Sequence, residues 1–588
     1  MAAIRSRFVS VRARAGAAVR RACTNAATLV ALATFAAAGA ADARPHLVDA
    51  PPVWYDDDAH DVATEPAERS PNILWDGIDD SVGRPLVRAF NPVRAIRRVG
   101  SLFGGDHVPA ARDINTLDEA LNSTWFTNRI GLYPMTPAEV ARGPGSGKGP
   151  DKSAPWTVVA AKTQGVTPGF NVKDATGAVY VIKFDLPEYD GLTICAGVIA
   201  SRLAYASGYF TPDDSPVEFR REDLRLGEKV SIKEGGGKKR PMTEADLDAI
   251  LARVAQTPDG TYRAISSKFL SGKPIGPFNF QGRRKDDPND RINHEDRRTL
   301  RGLRIFSAWV QNFDTKQGNT LDTFVEEDGR HFVRHNLIDF TATLGAGGRG
   351  PVARYGHEYT LDFASTSARI LTLGLRENGW RRLTRPAGMS EIGYFQTEVF
   401  GPYEYEPIQH NSAFDNMTDR DAYWAAKIIS AFTDEHIGAV VAEARYRDPA
   451  AAAYMAKTLA ERRDKLAREI FDRSAPLDFF QADGGVVGFR DIGIERGIYR
   501  DEPVKYRARC AAVTADRDAA SWSSWVESTR STIFDLTQTP AVETLAAAPA
   551  ARYPFVAVEC QVDRGDGWSN PITAYVARAS QRLVAVDR

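Results

Sequence analysis

One short segment limits what this chain can fold into more than any other. It has the pattern D-x-K-x-x-N, formed by Asp314, Lys316 and Asn319, and it follows an apolar stretch with helical spacing. Residues 320–340 then form two apolar runs around a Glu-Glu-Asp-Gly turn, which predicts a β-hairpin. Asp339 stands at the end of that hairpin, twenty-five residues after Asp314. A tight hairpin would therefore bring two separated acidic segments to one place.

These residue types suit the transfer of a phosphoryl group. The transferred group carries spread-out negative charge, so catalysis depends mostly on positioning and charge neutralisation. Asp314 would orient an acceptor hydroxyl and take its proton, and Lys316 would reach the phosphate. Asn319 and Asp339 would supply the hard oxygen ligands that Mg²⁺ prefers. Asp314 and Asn319 alone could simply cap turns, and Asp339 could be a hydrogen-bonding residue at the end of a strand. It is their order and spacing together that favour a site.

The segment resembles the catalytic and metal-binding loops of protein-kinase-like enzymes, closest to the HipA-type and phosphoinositide-kinase-like branches. The D-x-K-x-x-N spacing matches their catalytic loop, and Asp339-Phe340 resembles the start of their D-F-G element. The resemblance covers about residues 156–345, with the helices up to about 474 as a lower lobe. It implies ATP and Mg²⁺ as cofactors and leaves the acceptor open.

The resemblance also extends upstream of the catalytic loop. Lys183 stands where the family's strand lysine holds the nucleotide phosphates, and Gly165 and Gly169 would lie in a hairpin over them. Family enzymes pair this lysine with a glutamate on the following helix. The helix expected near residues 192–206 has no glutamate. Glu188, just before it, either substitutes or the ion pair is missing.

Other departures keep two further functions open. Asn312-Phe313 occupies the place of the usual His-Arg, and Thr341 replaces the glycine of D-F-G. A degenerate site would fit a non-catalytic, pseudokinase-like binding protein that presents a C-terminal β domain to a surface partner or a glycan. It would also fit an envelope structural protein that keeps the fold without a ligand.

The N-terminus has the features of a secretory signal. Six arginines between Arg5 and Arg21 precede an apolar, alanine-rich stretch from about residue 26 to residue 40, and Ala41-Asp42-Ala43 offers a cleavage site. The apolar stretch is shorter than the roughly 20 residues of a membrane-spanning helix. We therefore expect an exported protein, periplasmic or secreted, that does not span the membrane. ATP is normally scarce in such a compartment, which keeps the non-catalytic alternatives open.

The balance of charge argues against one class of partner. The chain has 75 lysines and arginines against 76 aspartates and glutamates. Such a balance leaves no electrostatic footprint for nucleic acid.

The predicted fold class is α+β, with a two-lobed kinase-like core and a C-terminal all-β domain. Within the first lobe, residues 214–262 are interpreted as an insertion. The predicted domains are a signal peptide (1–43), an extended N-terminal region and linker (44–150), an N-lobe with insertion (151–275), a mainly helical C-lobe (276–478) and the β domain (479–588).

Two cysteines of the β domain leave a question open. Cys510 and Cys560 each lie on the apolar face of an alternating run. In an oxidising compartment they could form a disulfide, and two buried free thiols would give the same pattern.

Overall fold

The computed structural model describes most of the chain. By internal contacts the chain divides into two compact units, residues 1–45 with 82–110 and residues 46–81 with 111–588. The fold described below is that of the second unit. The predicted signal peptide and Gly165 lie outside the described residues. The described ranges are 45–70, 73–84, 108–161, 168–233, 239–362, 370–372, 378–500, 503–529 and 531–588.

Helices are concentrated between residues 190 and 475. Within the described ranges, none of them combines the length and the hydropathy that a membrane span needs. The α-helices are α1 (Ile73–Ile78), α2 (Pro137–Arg142), α3 (Leu192–Ser207), α4 (Glu244–Leu251), α5 (Arg298–Trp309), α6 (Ser412–Asp415), α7 (Asp419–Ile429), α8 (Asp434–Glu443), α9 (Pro449–Arg473), α10 (Ile492–Glu495) and α11 (Ala541–Ala546).

Strands lie before, between and after these helices, so the fold is mixed α+β, and the predicted class is confirmed at that level. The strands are β1 (Trp156–Ala161), β2 (Gly169–Lys173), β3 (Val179–Lys183), β4 (Asp214–Phe219), β5 (Leu224–Leu226), β6 (Ser231–Lys233), β7 (Lys239–Pro241), β8 (Tyr262–Lys268), β9 (Lys273–Pro274), β10 (Thr320–Glu327), β11 (Arg330–Leu337), β12 (Leu477–Asp483), β13 (Val486–Asp491), β14 (Lys505–Val513), β15 (Ala519–Trp522), β16 (Val526–Ser528), β17 (Ile533–Asp535), β18 (Phe555–Asp563), β19 (Ile572–Ala577) and β20 (Leu583–Asp587).

The sheet that carries Lys183 has the strand order β4-β8-β3-β2-β1-β5. Strands β1, β2 and β3 form an antiparallel meander, and β8 joins β3 to β4. The interpretation of residues 214–262 as an insertion was therefore wrong for β4 and β5, which belong to the sheet. Its first strand, β4, pairs along its whole length with β8, and β5 pairs with β1.

Helix α3 lies where the sequence predicted a helix, and its composition explains why it is buried. Its residues are almost all apolar or small, and nearly every one is buried. The carboxylate of Asp185 accepts hydrogen bonds from the backbone N–H groups of Thr193 and Ile194, which satisfies donors of the first turn. Gly208, at φ +130°, ends the helix in a conformation that favours glycine.

The predicted helix and hairpin around the D-x-K-x-x-N segment are confirmed. A 3-10 turn at His294–Asp296 leads into α5, and β10 pairs with β11 from Thr320 opposite Leu337 to Glu327 opposite Arg330. The helices expected up to about residue 474 are also present, as α7, α8 and α9.

A single large apolar core holds these helices together. It also takes in Trp125, Phe126 and Ile130, which are buried against α3, α5 and α7. Residues 121–142 thus join the main core, although the sequence suggested an extended region as far as residue 150.

The region after residue 475 forms two further sheets, with orders β12-β13-β17 and β15-β14-β18-β19-β20. They enclose an apolar cluster of their own, and the short helices α10 and α11 lie in the same region. Cys510 lies opposite Val558 and Cys560 lies opposite Ala508, so the two cysteines are offset along the strands. Both are free and buried, so the disulfide alternative is not realised.

Candidate functional site

The D-x-K-x-x-N segment folds back on itself after α5. The side-chain amide of Asn319 donates to the backbone oxygen of Asp314 at 2.8 Å and to its Oδ2 at 3.0 Å. The Nζ atom of Lys316 lies 2.9 Å from Oδ1 of the same aspartate. The spacing of two and five residues therefore gathers the side chains of Lys316 and Asn319 around the carboxylate of Asp314.

The hairpin brings Asp339 to this turn, as the sequence predicted. The backbone N–H of Ile338 donates to the carbonyl of Asn319 at 3.0 Å, directly beyond the last hairpin pair. Asp339 follows at φ +59°, a left-handed conformation that aspartate tolerates better than most residues. The Thr341 hydroxyl donates to its Oδ1 at 2.6 Å. The residue that replaces the glycine of D-F-G thus helps to hold the carboxylate.

Lys183 connects the sheet to this pair of loops. It is the last residue of β3, and its Nζ lies 2.8 Å from Oδ1 of Asp339. The Lys183 side chain is 16% exposed and that of Asp339 is 36% exposed, so solvent reaches both partners. Three segments that are distant in the sequence therefore meet at one accessible set of charges.

Of the two remaining predicted residues that the structure describes, Gly169 lies next to Lys183 and Glu188 makes no ion pair with it. Gly169 begins β2 and lies directly opposite Lys183 in the antiparallel pairing, so no side chain projects there from the neighbouring strand. Glu188 lies in the 3-10 turn Pro187–Tyr189 and is exposed. Within the described residues, Lys183 forms its ion pair with Asp339 and none with Glu188.

Helix α3 is held tightly against both the sheet and the segment that follows Asp339. A Cβ atom on Gly197 would lie 2.7 Å from Cδ1 of Ile265 and 3.2 Å from Cγ2 of Thr341. The Thr343 hydroxyl also donates to the carbonyl of Ala196 at 3.2 Å. The helix position is thus coupled to the backbone that carries Asp339.

Two buried carboxylates near Lys183 have no counterpart in the sequence reasoning. Burial raises the pKa of Asp185 to about 6, and its hydrogen bonds to Thr193 and Ile194 lower it. Burial also raises the pKa of Asp214 to about 7, while hydrogen bonding by the Ser267 hydroxyl and the charge on Lys183 lower it and the charge on Asp339 raises it. From the sequence, Asp185 could have been recognised only as a residue that caps the first turn of α3. No sequence feature sets Asp214 apart from the other aspartates.

The donor set at the hairpin end fits a hard divalent cation. Asn319 turns its amide N–H group toward Asp314, and within the described part of the chain no hydrogen bond reaches its Oδ1 atom. No group of three or more His, Cys, Asp or Glu side chains suited to a metal occurs among the described residues. An amide and a carboxylate, completed by phosphate oxygens and water, are a set that Mg²⁺ commonly accepts.

Comparisons with known proteins give structural neighbours only. No family model matches the chain, and no curated protein matches it. A crystal structure of the Golgi casein kinase has 9% identity and a TM-score of 0.27, covering 55% of this chain and 75% of that one. The Helicobacter pylori proinflammatory kinase CtkA also has 9% identity and a TM-score of 0.27, covering 53% and 95%.

A second structure of the Golgi casein kinase, with Mn/ADP bound, has 12% identity and a TM-score of 0.21, covering 51% of this chain and 78% of that one. All three neighbours are kinases. TM-scores of this size do not establish a shared fold, so the interpretation of the site depends on its own geometry.

Proposed function

We propose that this protein is a kinase-like phosphotransferase that uses ATP and Mg²⁺. The observation that carries the proposal is the meeting of Lys183, from the sheet, with Asp339, from the hairpin, beside the Asp314–Asn319 turn. Such a meeting would supply two cations and three oxygen-bearing side chains for phosphoryl transfer, which depends on positioning and charge neutralisation.

Each side chain has a role that follows from its contacts. Asn319 holds the carboxylate of Asp314, which would orient an acceptor hydroxyl and accept its proton. Lys316 lies beside that carboxylate and would neutralise the transferred phosphate. Lys183 would hold the nucleotide phosphates, over which Gly169 leaves room. Asn319 and Asp339 would hold Mg²⁺, which would neutralise charge on the phosphate oxygens.

A non-catalytic nucleotide-binding protein is the second candidate. It is favoured by the lack of a glutamate partner for Lys183. Helix α3 has no glutamate, and Glu188 is exposed and forms no ion pair with Lys183 within the described residues. Such a protein would keep the phosphate and metal contacts and would act through a surface partner, for which the C-terminal β region is the proposed contact.

Calorimetric titration of purified protein with ATP, with and without Mg²⁺, tests the nucleotide site. Asp339→Asn should abolish Mg²⁺-dependent binding, because it removes the charge of a proposed ligand. Asp328→Asn is a matched control, since Asp328 lies at the exposed other end of the same hairpin and also has a positive φ of +50°. Equal binding by wild type and Asp339→Asn would refute the assignment.

A second assay separates an enzyme from a binding protein. Asp314→Asn should leave Mg²⁺-dependent nucleotide binding nearly unchanged and abolish transfer of labelled γ-phosphate to the protein itself or to added acceptors. If the wild type binds nucleotide and transfers phosphate to no acceptor tested, the non-catalytic candidate is favoured.

Export is also part of the proposal, supported by the basic and alanine-rich residues 1–43. Expression of the full sequence in a bacterial host and mass spectrometry of the recovered protein should show an N-terminus close to Arg44. Recovery of uncleaved protein from the cytoplasm would contradict it.

A further inference from the structure

A metal ion at the proposed site would compete with Lys183 for the same carboxylate. Its ion-pair partner in the structure is Asp339, the residue proposed to bind the metal ion. When a cation engages that carboxylate, Lys183 loses much of the attraction that holds it and also gains a positive neighbour. A lysine that must stay beside phosphates then needs another carboxylate, and the sixteen residues of α3 contain neither aspartate nor glutamate.

Asp214 lies on the same face of the sheet as Lys183. It is opposite Ser267 in the pairing of β4 with β8, and Ser267 is opposite Val181 in the pairing of β8 with β3. Val181 and Lys183 are two residues apart on β3, so their side chains point to the same side. One intervening strand puts β4 about 10 Å from β3, a gap that aspartate and lysine side chains can close toward each other.

The carboxylate of Asp214 is incompletely satisfied. Asp214 is buried, and its Oδ1 atom has no hydrogen-bond partner within the described residues. A buried polar atom without a partner is costly and indicates that another group or another state completes it. The charge on Lys183 lowers the pKa of Asp214 and the charge on Asp339 raises it, which agrees with the placement of Asp214 and Lys183 on one face of the sheet.

Two other charged groups nearby have partners of their own. Asp185 is occupied by the first turn of α3. Arg202, on α3, is within electrostatic reach of Asp214; it forms an ion pair with Glu443 at 3.6 Å, and its three guanidinium nitrogens have no hydrogen-bond partner within the described residues. Lys183 is therefore the cation whose present partner the proposed reaction would take away.

We infer that Asp214 positions Lys183 when Asp339 is engaged by a metal ion, in the role that a helix glutamate would otherwise fill. The inference deepens the proposed function and rests on it. Lys183 would exchange its contact with Asp339 for one with Asp214, and its ammonium group would remain beside the phosphates. Asp214 is thus a positioning residue, which acts through Lys183.

The test is a double-mutant cycle on Mg²⁺–nucleotide affinity, measured by calorimetry on the purified protein. Asp214→Asn keeps the size of the side chain and removes its charge, and we expect it to weaken binding about tenfold or more. In a Lys183→Met background the same change should have little further effect. Asp213→Asn is the matched control, because Asp213 precedes β4 and binds the backbone N–H of Ser146.

A relocated carboxylate keeps the inference testable if Asp214→Asn folds poorly. The double variant Asp214→Ser, Ser267→Asp moves the charge to the directly opposite residue on the strand nearer to Lys183. It should recover most of the affinity that Asp214→Ser alone loses, which a purely structural role for Asp214 would not produce.

The outcomes separate the inference from the function on which it rests. If the wild type binds no nucleotide, the proposed function is refuted and the inference with it. If the wild type binds and Asp214→Asn binds equally well, the inference alone is refuted. The same holds if Asp214→Asn weakens binding as much with Met at position 183 as with Lys, or if the relocated carboxylate restores nothing.

Discussion

Two ion pairs on neighbouring strands of one sheet have the same length and different surroundings. Lys183 and Asp339 are 2.8 Å apart, and so are Arg263 and Glu391. The first pair is 16% and 36% exposed, whereas the second is 2% and 6% exposed. Distance alone therefore does not separate a structural pair from one that a ligand can replace.

The buried pair is completed on both sides. Arg263 also donates to the backbone oxygens of Ala444 and Arg445. Glu391 also accepts from the backbone N–H groups of Arg447 and Asp448. These contacts tie β8 to the helical region and surround both charges with protein groups.

The accessible pair differs from the buried pair in its exposure. Asp339 lies beside Lys183 and accepts a hydrogen bond from the Thr341 hydroxyl, and solvent reaches both charged groups. Exchanging such a contact for phosphate and metal costs little, because neither charge has to be taken out of a dry interior. The comparison indicates that burial distinguishes the pair that stabilises the fold from the pair that is proposed to form the site.

Breaking the buried pair should have the largest effect. Glu391→Ala leaves the Arg263 guanidinium buried without its counter-charge, so we expect a loss of about 3–5 kcal/mol in the free energy of unfolding. Urea denaturation of the two proteins measures it. The combination Arg263→Met, Glu391→Leu is the control and should recover much of the loss. A loss below about 1 kcal/mol for Glu391→Ala would contradict the structural role.

Asp185 is a third case, a buried carboxylate whose hydrogen bonds come from uncharged groups. Its pKa of about 6 in the folded chain lies above the ordinary 3.8. The folded chain thus keeps a proton that the unfolded chain has released, and the stability contributed by Asp185 falls as pH rises through this window. The change should reach up to about 3 kcal/mol.

Unfolding measured between about pH 4 and pH 8 tests this dependence. Asp185→Asn should flatten the slope between the two pKa values, and the exposed Asp328→Asn should leave it unchanged. An unaltered slope in Asp185→Asn would show that the carboxylate is ionised throughout.

Breaking the accessible pair should have the smallest effect on stability. Lys183→Met removes a partly exposed contact, so the free energy of unfolding without ligand should change by less than about 1 kcal/mol. The same variant should show a smaller rise in melting temperature with ATP and Mg²⁺ than the wild type, because its binding is weakened. A loss above about 2 kcal/mol without ligand would instead make this pair structural.

The sequence predicted the features that depend on local spacing. Asp314, Lys316 and Asn319 are close in the chain, and the hairpin turn fixes where Asp339 arrives, so their meeting could be derived. Helix α3 was visible from its apolar spacing.

Features that depend on distant pairing could not be derived. Strand β4 contains a proline and is buried at almost every position, so it shows no alternation, and its partner β8 begins more than forty residues later. Its place in the sheet, and with it the position of Asp214 facing Lys183, follows only from the fold. The register of β14 against β18 likewise decides that Cys510 and Cys560 are offset.

A crystal structure of the protein with Mg²⁺ and a non-hydrolysable ATP analogue would show whether the proposed site binds both. We expect metal density contacted by Asn319 and Asp339, with Lys183 released from Asp339 and turned toward the phosphates. A nucleotide bound elsewhere, or crystals soaked at saturating concentration in which Lys183 and Asp339 stay paired and no metal lies beside them, would contradict the proposed site.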